Sequence, residues 1–221
     1  MKIWKLAGAT LSLLVLLAPT AATAGVEEPE IEDSCGSGSP NSLQTYTPEA
    51  DICAGWFGAT WDPVYDTSGA IVDYRLRELV TTVEMYGSVE DRVRHYHYEM
   101  AWSVGECRVS WFSKDYADST EITRARYGIK CGTQPAEYFP VAPSDITYSG
   151  KRVSVTMAAE RVPAPLRETL ATGSILYLPR AYTLLQFQTT VDEFETTYSW
   201  DETSTEGGRS FVIGQDMPAT P

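Results

Sequence analysis

The chain has 221 residues, with 30 acidic against 17 basic side chains and a formal net charge of −13. An acidic excess of this size disfavours nucleic acid, whose affinity comes largely from neutralised phosphates, and it disfavours anionic membrane surfaces. Its 43% of apolar residues suffice for the core of one domain, or at most two small ones.

At the N-terminus, Lys2 and Lys5 precede an apolar run from Leu6 to Ala18, and the stretch closes on Ala22-Thr23-Ala24 before Gly25. This pattern reads as a secretory signal peptide over residues 1–24, with a small-residue cleavage site. Its removal takes away two lysines and no acid, leaving 15 basic against 30 acidic residues and a formal charge of −15. No cysteine follows the apolar run closely enough to accept a lipid. No second apolar stretch is long enough to span a bilayer, and residues 214–221 carry no hydrophobic tail. The expected product is released outside the cell. The lone asparagine, Asn41, lies in Asn-Ser-Leu, so no glycosylation sequon exists. Scarce Asn and Lys beside plentiful Arg and Ala point to a GC-rich bacterial genome.

Residues 25–50 are acidic and then rich in Gly, Ser and Pro, a composition that buries too little to fold alone. They read as a flexible arm, residues 51–215 as the folded domain and residues 216–221 as a loose tail. Across the domain the pattern is mostly period two. Tyr96, Tyr98, Met100 and Trp102 alternate with His95, His97, Glu99 and Ala101, and Cys107, Val109 and Trp111 alternate with Arg108, Ser110 and Phe112. Val153, Val155 and Met157, then Ile175 to Pro179, then segments near Leu184, Phe194 and Ser210 continue the series. Residues 72–86 fit either a helix or a long strand, and Val80-Thr81-Thr82-Val83 tips them to strand. Only Pro165 to Thr172 reads helical, with Pro near its start and Gly173 after its end. Eight to ten strands at this spacing predict an all-β protein, an immunoglobulin-like or jelly-roll β-sandwich with one short helix.

The four cysteines, Cys35, Cys53, Cys107 and Cys131, all follow the leader, so two disulfides are expected. Sequential pairing is the local solution. Cys107–Cys131 then clamps neighbouring strands, and Cys35–Cys53 pins the arm to the domain.

Four sets of residues are candidates for chemistry. His95, His97 and Glu99 share one face of a strand, and two imidazoles with a carboxylate suit zinc, iron or manganese. The plainer reading is a polar sheet face opposite the Tyr/Met/Trp core. Glu99 is also a candidate glycosidase carboxylate, which needs a second one about 5 Å away in a retaining mechanism. Glu84, Glu106 and Glu160 are all available for that role. Asp62, Asp66 and Asp73 bracket a turn whose oxygen donors suit calcium, although Asp and Gly there also serve simply to make the turn. Trp56 and Trp61, in a segment that reads as loop, are the candidate exposed aromatics for stacking on a ligand such as a sugar. Trp102 and Trp111 lie on strands and read as core.

A longer order of features is also present. Asp62-Pro-Val-Tyr-Asp66 precedes a strand opening on Asp73, and a Tyr/Trp-rich central hairpin follows. Then come Ser149-Gly-Lys-Arg-Val-Ser-Val-Thr-Met157, a Pro-rich segment, Ala181-Tyr-Thr183 and Arg209-Ser-Phe-Val-Ile-Gly214. Over about residues 55–215 this resembles secreted actinobacterial β-sandwich modules and, more distantly, DOMON and family 9 carbohydrate-binding modules. The resemblance implies a sandwich that binds sugar, haem or a protein partner without catalysis. DOMON haem sites use axial His and Met, and His95, His97 and Met100 are present here. The combined expectation is a secreted, non-catalytic binding module for carbohydrate or a cell-envelope partner. It has no nucleic-acid partner, no membrane span and no cofactor, with calcium, zinc and haem as alternatives. The rival expectation is a secreted hydrolase, either metal-dependent through His95/His97/Glu99 or glycosidic through Glu99.

Overall fold

Period-two alternation sends Leu79, Thr81, Val83 and Met85 to one side of a strand and Glu78, Val80, Thr82 and Glu84 to the other. The first set is buried and the second partly exposed. The same rule builds the whole domain. The computed structural model describes residues 28–36, 51–89, 95–114, 124–188, 194–203 and 208–220. The expected leader and most of the expected arm lie outside the described residues.

Among the described residues, twelve strands form two antiparallel sheets. The first sheet contains β1 (Ile31–Glu32), β2 (Ile52–Tyr65), β3 (Ile71–Met85), β8 (Ile146–Ser149) and β9 (Arg152–Ala158), in the order β1-β2-β3-β9-β8. The second contains β4 (His95–Val104), β5 (Cys107–Lys114), β6 (Arg124–Cys131), β7 (Glu137–Pro140), β10 (Ile175–Gln188), β11 (Phe194–Glu202) and β12 (Phe211–Val212). Its order is β11-β10-β4-β5-β6-β7, with β12 also on β10. The protein is an all-β sandwich with one short α-helix, α1 (Ala164–Thr169). Leu166 within α1, with Val162 before it and Leu170 after it, is buried against the sandwich.

The inner faces meet in one core. Phe57 of the five-stranded sheet meets Trp102 of the seven-stranded sheet edge-on at 5.4 Å, and also contacts Phe211 at 5.6 Å. Met100, Val109, Trp111 and Val155 have no exposed surface. The Tyr127 hydroxyl donates across the core to the Thr156 carbonyl at 3.2 Å. Burial pushes that hydroxyl above the ordinary tyrosine range.

Both predicted disulfides are present. Cys107 and Cys131 face each other in register across β5 and β6, and Cys35–Cys53 ties the arm to β2. The arm contributes more than a staple. Ile31 and Glu32 pair with β2, and the buried Glu30 carboxylate accepts the Phe57 N–H at 2.8 Å where β1 has ended. From the other end of the chain, Asp216 accepts the Ala59 N–H at 2.9 Å and the Trp61 indole N–H at 3.2 Å. The outer edge of β2 is thereby satisfied by carboxylates, which removes the open row of donors that invites edge-to-edge pairing. The sandwich draws on residues on both sides of 51–215.

Residues 55–65 differ from expectation. They read as loop, yet they belong to a 14-residue strand, because β3 supplies a partner along its whole length. Around Pro179, β10 runs on as one strand, accommodated by a bulge between Tyr177 and Arg180.

Candidate functional site

His97 and Glu99 lie on the outer face of β4, opposite the buried Tyr98, Met100 and Trp102. The strand brings them together as predicted, with His97 Nε2 3.7 Å from Glu99 Oε2. The His97 ring stacks flat on Phe112 of β5, with centroids 5.4 Å apart and planes 10° apart. The His95 side chain lies outside the described residues. Among the described residues no three His, Cys, Asp or Glu side chains come together as metal ligands. Haem ligation by His97 with Met100 does not fit, because an odd separation along a strand puts the two on opposite faces, and Met100 is wholly in the core.

The glycosidase candidates do not converge on Glu99. Glu84 sits on the outer face of the other sheet, held by Arg152 at 2.7 Å. Glu106 lies in the turn beyond the end of β4, and Glu160 borders a cleft beside β9.

The calcium candidates are engaged in other contacts. Asp66 Oδ1 accepts the Ser68 hydroxyl at 2.7 Å and the backbone N–H groups of Ser68 and Ala70 at 2.8 and 2.9 Å. The Ser68 hydroxyl and then the Ala70 N–H hold this carboxyl below its ordinary value. Gly69, at φ 85°, supplies the left-handed step of the turn. Asp62 lies 3.8 Å from both Arg75 and Arg77, and Asp73 accepts the N–H of Tyr74. These aspartates build and brace a hairpin.

The tryptophan candidates are also placed differently from expectation. Trp61 packs against the core with its indole N–H bound to Asp216. Trp56 is on the outer face of the five-stranded sheet, where the Arg152 guanidinium covers its ring at 4.9 Å. Trp102 and Trp111 are core, as expected; the Trp200 side chain lies outside the described residues.

The outer face of the seven-stranded sheet holds features that the sequence did not bring together. Strand register sets Arg180, Ala101, Ser110, Gly128 and Tyr138 in one row across β10, β4, β5, β6 and β7. Four strand spacings make this row about 19 Å long. Its middle is small residues, and its flanks are larger. On one side stand Tyr182, Glu99, Phe112 and Arg126, and on the other Ser103, Arg108 and Lys130. Tyr138, 57% exposed, lies across Gly128. A Cβ at Gly128 would sit 3.2 Å from that ring, so the glycine is what lets Tyr138 reach in to meet Phe112 edge-on at 6.1 Å. At the opposite end, Arg108 and Arg180 donate to the same Tyr182 hydroxyl at 3.1 and 3.0 Å. Beside them is a depression of about 180 Å³ bordered by Ala101, Ser103, Arg108, Leu178 and Arg180.

The bulge in β10 creates this end of the row. Tyr177 opposes Ser103 and Arg180 opposes Ala101, so β10 spends three residues where β4 spends two. The extra residue turns Arg180, rather than Pro179, onto the outer face beside Arg108. It also leaves Leu178 at φ 51°, a conformation that costs a branched residue about 1–2 kcal/mol.

A larger cleft of about 840 Å³ opens on the other side of the molecule, between the stem of the β2–β3 hairpin and the segment from β9 to α1. Arg75, Arg77, Arg161 and Arg167 line it, but so do Asp62, Asp73, Glu78 and Glu160. Arg161 is held by Asp145 at 2.9 Å, and Arg167 bonds the Glu160 and Val162 carbonyls. Its charges are balanced and used in bracing the fold. No described helix is long and apolar enough to cross a membrane.

Comparison of the chain with family models, curated proteins and solved structures finds no match.

Proposed function

We propose that this protein is an exported, non-catalytic binding module for carbohydrate or a cell-envelope component, and that its ligand face is the outer face of the seven-stranded sheet. The observation that carries the reading is the row from Arg180 to Tyr138. The exposed Tyr138 ring, the half-buried rings of His97 and Phe112 and hydrogen-bonding side chains lie along one surface without a convergent pair of catalytic carboxylates among the described residues. Aromatic rings beside fixed polar groups suit sugar rings, which offer an apolar C–H face and hydroxyls at their edges. Export rests on the leader-like residues 1–24 and agrees with two disulfides, which persist in oxidising compartments.

A glycan array probed with the purified, leader-free protein tests this reading. Binding to a defined set of glycans, lost on Tyr138→Ala, is the expected result; a blank array under native conditions contradicts it.

A second reading, a metal-dependent hydrolase, draws on one observation. His97 Nε2 is buried without a hydrogen-bond partner among the described residues and lies near Glu99. Metal analysis of the purified protein beside His95→Ala and His97→Ala decides it. Stoichiometric metal, lost in both variants, favours the hydrolase, and absence of metal removes it.

A further inference from the structure

We infer that the ligand of this face is an acidic polysaccharide, one bearing carboxylate or sulfate groups, and that Arg108, Arg126, Lys130 and Arg180 select it by charge. The inference rests on the proposed binding function and adds the class of ligand.

In a chain with 30 acidic and 17 basic residues, most basic groups are expected to find a carboxylate. Arg75, Arg77, Arg152, Arg161 and Arg209 do so. Among the described residues, Arg108, Arg126 and Lys130 form no ion pair, although acids outnumber bases by nearly two to one; Lys151 and Arg167 form none either, but Lys151 lies over the Tyr86 ring and Arg167 bonds two backbone carbonyls. Arg108 and Lys130 are directly opposite each other, and Arg126 lies on the same face of β6 across Gly128, four residues or about 13 Å from Lys130. All three are exposed. A surface that receives an external anion accounts for three cations without a carboxylate partner on one sheet face of an acidic protein.

Arg180 joins them through the bulge that turns it onto this face. It keeps Glu202 at 3.4 Å, but its Nε–H is buried and without a hydrogen-bond partner among the described residues. Arg108 and Arg180, converging on Tyr182 beside the 180 Å³ depression, present guanidinium forks of the kind that grip carboxylate or sulfate oxygens. At the other end, Phe112 and Tyr138 supply rings. Arg108 and Arg180 gather at one end of the shallow row and rings at the other, which fits a chain of sugars carrying negative charge. The chain's overall negative charge does not prevent this, because charges beyond about 8 Å are largely screened at physiological salt. Contact is governed by the local patch.

The test uses affinity electrophoresis of the leader-free protein through gels containing polygalacturonate, dextran sulfate, neutral dextran or single-stranded DNA. The inference expects retardation by polygalacturonate or dextran sulfate but not by dextran or DNA. Binding should weaken about tenfold or more between about 0.05 and 0.5 M salt. The Arg108→Ala/Arg126→Ala/Lys130→Ala variant should lose about tenfold or more in affinity with an unchanged melting temperature, since all three side chains are exposed. Equal binding of neutral dextran, salt-insensitive binding, or full affinity in the triple variant overturns the charge selection and leaves the binding module standing. Retardation by DNA as strong as by the acidic polysaccharides also overturns it, showing a general polyanion surface. Failure to bind any polysaccharide here, together with a blank glycan array, ends both proposals.

Discussion

On the outer face of the five-stranded sheet Arg152 is held by Glu84 at 2.7 Å and covers the Trp56 ring, whereas on the seven-stranded sheet Arg108, Arg126 and Lys130 have no ion-pair partner among the described residues. Both faces arise from the same two-residue alternation over the same core. The first satisfies its charge internally. Its row from Trp56 through Thr82 and Ser154 to Thr147 is further closed by the Thr82–Ser154 hydroxyl contact at 2.9 Å. The second leaves cations and the Tyr138 ring available. Exposure alone therefore does not identify a binding surface; an exposed cation must also lack an internal carboxylate.

The predictions that break or sharpen this contrast begin beneath both faces. Trp111 is wholly buried on β5. Trp111→Ala should cost about 3–5 kcal/mol, read by chemical denaturation, and should abolish binding by unfolding the platform. Replacing both Cys107 and Cys131 with alanine, which opens a link between residues 24 apart, should cost about 3 kcal/mol. That effect falls on the seven-stranded sheet, so ligand affinity should fall near the melting transition and recover well below it.

Asp216→Ala acts on the edge of the other sheet. It leaves the Ala59 N–H and the Trp61 indole N–H without their partner and should cost about 1–3 kcal/mol, with ligand affinity unchanged. Arg152→Ala should cost less than about 1 kcal/mol, since its ion pair is at the surface, and should leave binding untouched. A large affinity loss in either variant would move the ligand face to the five-stranded sheet.

Much of the fold was legible in the sequence, because burial on one face of a strand writes itself as alternation. Tyr98, Met100 and Trp102 were readable as core, and so were their polar neighbours His97 and Glu99. The disulfides were readable because locality favours one pairing. The 55–65 segment was not, since its Gly, Asp and Pro content imitates a loop, and only the pairing with β3 makes it a strand. The binding face was the hardest to see. Arg108, Ser110 and Phe112 already alternate with core residues, which marks them as outward. Nothing in one sequence says that Arg108 lies opposite Lys130, that Gly128 makes room for Tyr138, or that a bulge turns Arg180 onto the same side. Those are cross-strand relations between residues up to about 80 positions apart, set by register. The tryptophans misled for a related reason. Their loop-like segment suggested exposed stacking, but Asp216 and Arg152, both remote in sequence, already occupy Trp61 and Trp56.

The most direct test of the account sets the two faces against each other in a single measurement. Ligand affinity of Tyr138→Ala and of Trp56→Ala is measured side by side on the same polysaccharide, with melting temperatures as controls. The account predicts a loss of roughly tenfold for Tyr138→Ala and none for Trp56→Ala. The reverse pattern, with Trp56→Ala impaired and Tyr138→Ala at full affinity, would contradict it.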